Sequence, residues 1–263
     1  MDLGLRGRVA IVAAASKGLG RAVAEELARE GAEIAICART PSDLEAAAER
    51  IRLAGGREVF WHALDVSDSA AVASFVAGVE QRFGRVDICV TNTGGPPSKL
   101  FMATTHEDWR IWTDQLLMST VYFAKEVLPR MQKRQWGRFI TITSYSVKQP
   151  VEELLLSNSL RAGVTGVART LANEYGQYGI TVNNVCPGYT RTDRLDDLAG
   201  MMAERSGAKP EEIFEGWKKL IPAGRLGKPE EFAAAVAFLA SERASYINGV
   251  SLTVDGGTTR SLF

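Results

Sequence analysis

The sequence has few of the residues that build metal centres and disulfide scaffolds. Its 263 residues include three cysteines, far apart in apolar runs, and two histidines, with no CxxC or Cys/His pattern. We therefore expect no metal site and no disulfide framework. Net charge is also lacking, since 31 Lys and Arg residues balance 31 Asp and Glu residues. This balance argues against nucleic acid or an anionic membrane surface as a partner.

Long apolar runs are missing as well. No stretch reaches the about 18 apolar residues of a membrane-spanning helix, and residues 1–6 show no apolar segment typical of a secretory signal. Scattered cysteines in apolar runs suit a reducing compartment, so we expect a cytoplasmic protein. Because the chain shows no linker, repeat or low-complexity segment, residues 1–263 are predicted to form one domain.

The sequence does contain a regular alternation of short apolar runs and longer stretches with helical periodicity. Strands are predicted at residues 9–13, 33–38, 58–64, 86–91, 138–143, 180–186 and 250–254, and the longest helical segments at 106–134, 154–178 and about 193–220. Strands that alternate with such helices form a parallel sheet covered on both faces. The prediction is a doubly wound, Rossmann-like α/β fold. Residues 190–227, which lack a strand, are predicted to form a mobile substrate-side lobe.

A glycine-containing turn joins the first predicted strand to the first helix. It reads Ala14-Ala15-Ser16-Lys17-Gly18-Leu19-Gly20. Free backbone N–H groups at a helix N-terminus, and the absence of Cβ atoms, allow such a loop to hold a pyrophosphate. Glycines also mark ordinary tight turns, so this loop alone leaves both interpretations open.

Further segments follow this loop in a characteristic order. They are Asp65-Val66 after strand three, Asn92-Thr93-Gly94 after strand four, Ser144 at the end of strand five, Asn183-Asn184-Val185-Cys186-Pro187-Gly188, Gly224 to Glu231, and Val254-Asp255-Gly256-Gly257. Over essentially its whole length the chain resembles the short-chain dehydrogenase/reductase family, and within it the 3-oxoacyl-carrier-protein reductases. The resemblance implies a nucleotide-dependent oxidoreductase that acts on a carbonyl or alcohol of a small molecule.

The resemblance also implies a set of cofactor contacts. Thr192 is similar to the family's threonine that bonds the nicotinamide carboxamide, although it also suits a helix N-cap before Asp193. The implied cofactor-binding residues are Ala14, Ser16, Lys17, Gly18, Leu19, Gly20, Arg39, Asp65, Val66, Asn92, Gly94, Arg161, Pro187, Gly188 and Thr192.

Two cations indicate which nicotinamide cofactor is preferred. Lys17 lies in the loop, and Arg39 follows strand two, where an acid would bind the 2′-hydroxyl of NAD. Cations there suit a 2′-phosphate, so NADP(H) is favoured over NAD(H). The alternative is that both side chains simply face solvent.

Ala14 departs from the family pattern, which has glycine at this position. Because alanine does not adopt positive φ readily, two alternatives are open: the loop forms with Ala14 at negative φ, or its affinity for the cofactor is reduced.

The catalytic positions depart further. The family uses a Tyr as acid and base, a Lys four residues later, a Ser and an Asn. Here Ser144 is retained, but Ser157 occupies the Tyr position, Arg161 the Lys position, and Leu116, beside Gln115, the Asn position. A serine hydroxyl is a far weaker acid than a phenol, and an arginine stays protonated. We expect Arg161 to bind ribose hydroxyls or an anionic substrate group, or else to form a structural ion pair.

Other residues are alternative acids for the reaction. Tyr145 and Lys148 lie on the loop after strand five at a spacing of three rather than four, and Tyr189 follows Pro187-Gly188. Two hypotheses remain: an NADP(H)-dependent oxidoreductase whose proton comes from an unidentified acid or water, and a non-redox protein on the same fold, such as a nucleotide sensor, a structural subunit or a lyase.

The family usually self-associates through two long helices, here residues 106–134 and 154–178. The second carries an apolar stripe of Leu156, Leu160, Val164, Val167 and Leu171, which predicts a homodimer or homotetramer. Three tryptophans on or just after the first helix, Trp109, Trp112 and Trp136, are predicted to pack within a helix-pair interface.

Overall fold

The computed structural model describes residues 1–262 and contains one seven-stranded sheet. The strands are β1 (Val9–Ala13), β2 (Glu33–Ala38), β3 (Phe60–Ala63), β4 (Ile88–Thr91), β5 (Gly137–Ile142), β6 (Ile180–Pro187) and β7 (Ser251–Val254). Their order is β3-β2-β1-β4-β5-β6-β7, and every neighbouring pair is parallel. The predicted fold class is therefore confirmed. Phe263 of the predicted domain lies outside the described residues.

Helices cover both faces of this sheet. They are α1 (Gly18–Arg29), α2 (Pro41–Gly55), α3 (Ser69–Phe83), α4 (His106–Trp112), α5 (Ser119–Arg134), α6 (Leu155–Tyr175), α7 (Asp193–Ser206), α8 (Pro210–Leu220) and α9 (Pro229–Ala240). Successive strand residues point to opposite faces. Ala10 and Val12 of β1 therefore pack with α1, α2 and α9, whereas Val9 and Ile11 pack with α3, α5 and α6.

The predicted helix at 106–134 is interrupted. A π-helical segment, Thr113–Met118, separates α4 from α5. Next to it, the Ser119 hydroxyl donates to the Gln115 carbonyl oxygen at 2.6 Å. Side chains that bond back to the preceding turn in this way disturb the regular helix ladder, and π-helical turns often mark functional positions.

Two other predicted helices also differ from the structure. The segment at 193–220 is two helices, because Gly207 ends α7 at φ +70° and Pro210 begins α8. The segment at 154–178 is α6 followed by a short 3-10 turn, Gly176–Tyr178. Helices α7 and α8 form a separate apolar cluster around Leu195, Ala199 and Trp217. This cluster lies within residues 190–227; that they form a mobile substrate-side lobe stays a prediction.

The apolar stripe of α6 is mostly used within the chain. Leu156, Leu160 and Val164 are already buried by the chain's own residues. Trp109 and Trp112 pack against Leu156 and Leu160, as expected for a helix pair. The stripe therefore offers less free surface to a second copy than its periodicity indicated, and self-association through these helices stays a prediction.

The prediction for Trp136 is wrong. Its ring is stacked with the guanidinium groups of Arg8 and Arg138 instead, whose Cζ atoms are 3.8 and 4.3 Å from the ring centroid. Trp136 comes just before β5, at the edge of the sheet where that strand begins. Cation–π stacking holds the ring there, although its Nε1 atom has no hydrogen-bond partner within residues 1–262.

The cysteines are buried and unpaired, as expected. No helix within residues 1–262 is long and apolar enough to cross a membrane. No group of three or more His, Cys, Asp or Glu side chains in the same residues is arranged to hold a metal ion.

Candidate active site

The site lies at the carboxyl edge of the sheet. Strand order reverses between β1 and β4, and in doubly wound folds such a switch point opens a crevice for the ligand. The loops that follow β1, β4, β5 and β6 meet here. These loops carry most of the predicted site residues.

The loop after β1 ends at a helix N-terminus with free backbone donors. Lys17 precedes α1 without forming a side-chain cap, and the first turn of α1 contains no acidic residue. The N–H groups of Gly18, Leu19 and Gly20 have no carbonyl one turn earlier in the helix, so they are available to an anion. Ser16 and Leu19 are half-buried in the same turn.

Gly20 is required by the packing of this loop. A Cβ atom at Gly20 would lie 2.5 Å from the Ala14 carbonyl oxygen and 2.9 Å from the Asn92 Nδ2 atom. Asn92 Nδ2 in turn donates to the Ala14 oxygen at 3.3 Å. The loop after β1 is therefore held by the loop after β4, and the close approach leaves no space for a side chain at Gly20.

The first alternative, a negative φ at Ala14, is wrong, because the structure places this residue at φ +48°. Two contacts hold it there: the Asn92 amide bonds its carbonyl oxygen, and the N–H of Ala15 donates to the Cys37 oxygen at 3.2 Å. The chain thus forms the tight turn of a glycine loop with an alanine in the left-handed region. This backbone costs a non-glycine residue about 1–2 kcal/mol.

Asp65 lies in the loop that follows β3. Its carboxylate accepts from the Ser67 N–H and hydroxyl at 2.9 and 2.7 Å and from Gln115 Nε2 at 2.7 Å. Burial acts to raise the pKa of Asp65, but these hydrogen bonds and the charge of Arg39 outweigh it and hold the pKa below its usual value. Gln115 therefore faces Asp65, a contact that no spacing in the sequence predicted. Val66 is buried in the core.

The two predicted cations differ in their surroundings. Lys17 Nζ lies 3.0 Å from an Asp43 carboxylate oxygen, so its charge is paired. Arg39 is exposed and forms no ion pair within residues 1–262. Arg39 is consequently the free cation at the end of β2.

Ser144 follows β5, and Arg161 bonds the last residue of that strand. The Ser144 hydroxyl oxygen accepts from the Ser146 N–H at 3.1 Å. Arg161 is 8% exposed, and its Nη1 and Nη2 donate to the carbonyl oxygens of Ile142 at 3.2 Å and Gly94 at 3.4 Å. Ser157 is buried one turn earlier on α6, and within residues 1–262 its hydroxyl forms no hydrogen bond to Ser144 or to any other residue.

Arg161 has no acidic partner. No carboxylate within residues 1–262 forms an ion pair with it, so the predicted alternative of a structural ion pair is wrong. Burial, together with the charge of Arg194, lowers the pKa of Arg161 to about 10. The guanidinium therefore stays protonated at neutral pH, buried and uncompensated.

The alternative acids are poorly suited to the role. The rings of Tyr145 and Tyr189 lie 5.7 Å apart, and Tyr189 stacks on Trp217 at 5.3 Å. Burial and the contact with Tyr189 raise the pKa of Tyr145 above its usual value. A catalytic tyrosine needs the opposite shift. The three rings form a continuous row of contacts from the loop after β5 to Trp217 of α8.

The remaining predicted positions border the crevice. Leu116 is buried against Leu156 and Leu160, so an apolar side chain occupies the position where the family has Asn. Gly188 donates its N–H to the Val254 oxygen at 3.0 Å. Thr192 lies over the phosphate loop, with its Cγ2 atom 3.6 Å from the Cβ position of Gly18, and its side chain forms no helix cap. Thr192 nevertheless occupies the N-cap position of α7, as the alternative predicted, and its carbonyl oxygen accepts from the Leu195 and Asp196 N–H groups.

One residue at this edge was missed by sequence reasoning. Arg194, in the first turn of α7, reaches across to the loop after β4, where its Nη2 atom donates to the Pro96 oxygen at 3.3 Å. The contact joins residues 98 positions apart. No local spacing could have revealed it.

Comparison with known proteins agrees with this geometry. The family model described as enoyl-(acyl carrier protein) reductase matches residues 13–259. The chain belongs to the short-chain dehydrogenase/reductase family, which confirms the resemblance, and it is an oxidoreductase of that family.

Individual relatives cover nearly the whole chain. The 3-oxoacyl-(acyl-carrier-protein) reductase FabG of Escherichia coli is 35% identical over 260 residues, 97% of this chain and 98% of that protein. The L-sorbose reductase of Gluconobacter frateurii, solved with NADPH and L-sorbose, superposes with a TM-score of 0.95 at 32% identity and full coverage of both chains. An actinorhodin polyketide ketoreductase solved with NADPH superposes at 0.92 with 30% identity, covering 96% of this chain and 97% of that one.

Proposed function

We propose that the protein is an NADP(H)-dependent oxidoreductase that interconverts a carbonyl group and an alcohol on a small molecule. The observation that carries this proposal is the cradle formed by Ala14, Gly20 and Asn92 beside the uncapped N-terminus of α1. A side chain at Gly20 would fill that cradle, and the free N–H groups are matched to a pyrophosphate. The residues present therefore fit a dinucleotide.

The preference for NADP(H) rests on charge at the end of β2. Arg39 is exposed, is unpaired within residues 1–262 and occupies the position where an acid would select NAD. A guanidinium binds a phosphate through parallel N–H donors. The NADPH-bound reductases that this chain superposes on support the same cofactor.

The side chains of this site bind and orient the ligands and provide positive charge, but none of them is an evident proton donor. When bound, the cofactor provides the hydride that reduces a carbonyl carbon. Ser144 orients the carbonyl oxygen by hydrogen bonding. Arg161 takes the Lys position, and its free N–H donors bind either ribose hydroxyls or an anionic group of the substrate. Because Ser157 is too weak an acid and the pKa of Tyr145 is raised, the proton is proposed to come from water.

The non-redox alternative has its own supporting observation. The position of the family's Asn is filled by Leu116 within an apolar cluster, and the pKa of the tyrosine next to Ser144 is shifted away from neutrality. Such a site suits nucleotide binding without rapid proton transfer.

Nucleotide binding tests the cofactor part of the proposal. Titration of the purified protein with NADPH and NADH, followed by fluorescence, should give at least about 10-fold tighter binding of NADPH. Arg39→Gln should remove that preference. Arg52→Gln is the matched control, since Arg52 pairs with Glu49 on α2 away from the crevice. Failure of both nucleotides to bind would exclude the proposed function.

Turnover tests the reaction. A panel of ketones and aldehydes is screened for NADPH oxidation by the wild-type protein and by a double variant, Ser157→Tyr with Arg161→Lys. Turnover by the wild type supports the proposal. Tight NADPH binding without turnover, together with activity created by the double variant, favours the non-redox alternative.

A further inference from the structure

Two guanidinium groups, from two different helices, contact the same short loop after β4. Arg161 of α6 donates to the Gly94 oxygen, and Arg194 of α7 donates to the Pro96 oxygen, two residues further on. A Cβ atom at Gly95, between them, would lie 2.5 Å from Arg194 Nη2, so the glycine permits this close contact. We propose that Arg194 and Arg161 form an anion site that binds a carboxylate group of the substrate.

The charges at this site are not balanced by the protein. Within residues 1–262 neither guanidinium forms an ion pair, although most of the arginines around them on the surface do. Burial and the charge of Arg194 lower the pKa of Arg161, and Asp197, whose charge acts on Arg194, forms no salt bridge with it within residues 1–262. Arg161 is buried and Arg194 is exposed, and keeping a buried cation next to a second cation is unfavourable unless an anion neutralises it.

Unused hydrogen-bond donors indicate the same ligand. Two of the five N–H groups of Arg161 are directed at carbonyl oxygens, Ile142 and Gly94, and the others have no acceptor within residues 1–262. Arg194 donates to Pro96 alone. Guanidinium groups with free N–H donors bind carboxylates in bidentate geometry.

The position of the site favours the substrate over the cofactor phosphates as the source of the anion. The phosphate cradle follows β1, and Thr192 lies over it at Gly18. Arg161 instead bonds the carbonyl of Ile142, two residues before Ser144, which orients the substrate oxygen. The anion is therefore placed next to the reacting carbonyl rather than at the pyrophosphate.

The substrate class that follows is a carbonyl compound carrying a carboxylate within a few bonds of the carbonyl carbon, or the corresponding hydroxy acid. This assignment rests on the proposed function for the identity of the reacting group. The anion site itself is a property of the two arginines and can be tested without turnover.

The first experiment compares kcat/KM for a series of 2-oxo and 3-oxo acids with that for their methyl esters, using NADPH. The wild type should prefer the acids. Arg194→Gln should lower the acid-to-ester ratio by about 10- to 100-fold. Arg194→Lys keeps the charge but loses the paired N–H donors of the guanidinium, so it should recover part of the acid-to-ester ratio. Arg205→Gln, at the other end of α7 and exposed, should leave the ratio unchanged.

The second experiment measures equilibrium binding and separates the possible failures. Calorimetric titration with 2-oxobutanoate should show binding to the wild type and at least about 10-fold weaker binding to Arg194→Gln. If no carbonyl compound is turned over but this difference is present, the anion site stands and the proposed reaction fails. If the ratio and the binding are both unchanged in Arg194→Gln, the anion site is refuted. If Arg194→Gln weakens NADPH binding without changing the acid-to-ester ratio, the anion is the cofactor's and the substrate assignment is refuted.

Discussion

Replacing Ala14 by glycine tests whether the cofactor loop stores backbone strain. Ala14 is held at φ +48°, a conformation that costs a non-glycine residue about 1–2 kcal/mol. Glycine adopts it without that cost but loses about 0.5–1 kcal/mol more backbone entropy on folding than alanine does. The difference predicts that Ala14→Gly raises the free energy of unfolding by about 0.5–1 kcal/mol. For a chain of this size the Tm should rise by about 1–4 °C.

Urea unfolding monitored by far-UV circular dichroism is the appropriate assay, at one protein concentration so that self-association does not change the comparison. Two control variants test the size and the sign of the expected change in the free energy of unfolding. Gln135→Gly removes the same kind of strain at φ +55° on the exposed end of α5, away from the crevice, and should stabilise by a similar amount. Ala13→Gly, in the buried extended part of β1, should destabilise instead.

The reasoning is refuted if Gln135→Gly stabilises the protein while Ala14→Gly does not. That result would mean that the methyl group of Ala14 makes a contact worth more than the strain. A higher free energy of unfolding for both variants would show that the loop accepts alanine only at a cost in stability.

Two further predictions concern charged side chains away from the crevice. Arg138→Met should lower the free energy of unfolding by about 2–4 kcal/mol in urea titrations, because the substitution leaves the carbonyl oxygens of Ser241, Gly137 and Gly179 without their buried donor. The control variant Arg243→Met, at an exposed position, should change the free energy of unfolding little. Equal effects of the two variants would contradict this account. Lys99, together with the backbone at Thr105, lowers the pKa of Asp108 to about 2 from 3.8, so the stability that Asp108 contributes is present above pH 3.8 and lost as the pH falls through about 2. Asp108→Asn should remove that part of the acid dependence of the Tm, and an unchanged pH profile would exclude the assigned cause.

Much of the fold was predictable because its signals are local. Every strand of the sheet was predicted to within two residues at each end, since apolar runs and turn residues mark strands directly. The ends of α7 and α8 depended on Gly207 and Pro210, whose signals are also local, yet the charged composition of 193–220 concealed them. The π-helical segment at Thr113–Met118 had no such signal, because it depends on how the helix packs.

The candidate site was predictable only in part. Order along the chain was sufficient to place Ser144, Ser157, Arg161 and the Gly18–Gly20 loop at one edge. It could not show that Lys17 pairs with Asp43. Nor could it show that Arg194 reaches the loop after β4. Contacts of this kind join distant positions through long side chains, so neither periodicity nor spacing records them.

The sequence by itself determined that the sheet is parallel and that the loops after β1, β4, β5 and β6 meet at one crevice, because strand–helix alternation permits few other arrangements. The tertiary structure decided the electrostatic state of that crevice. Arg161 is buried without an acidic partner, Arg39 remains unpaired within residues 1–262, and Ala14 is held at positive φ by its neighbours. Each of these depends on which groups the folded chain brings within a few ångströms, and that distance is set by packing rather than by composition.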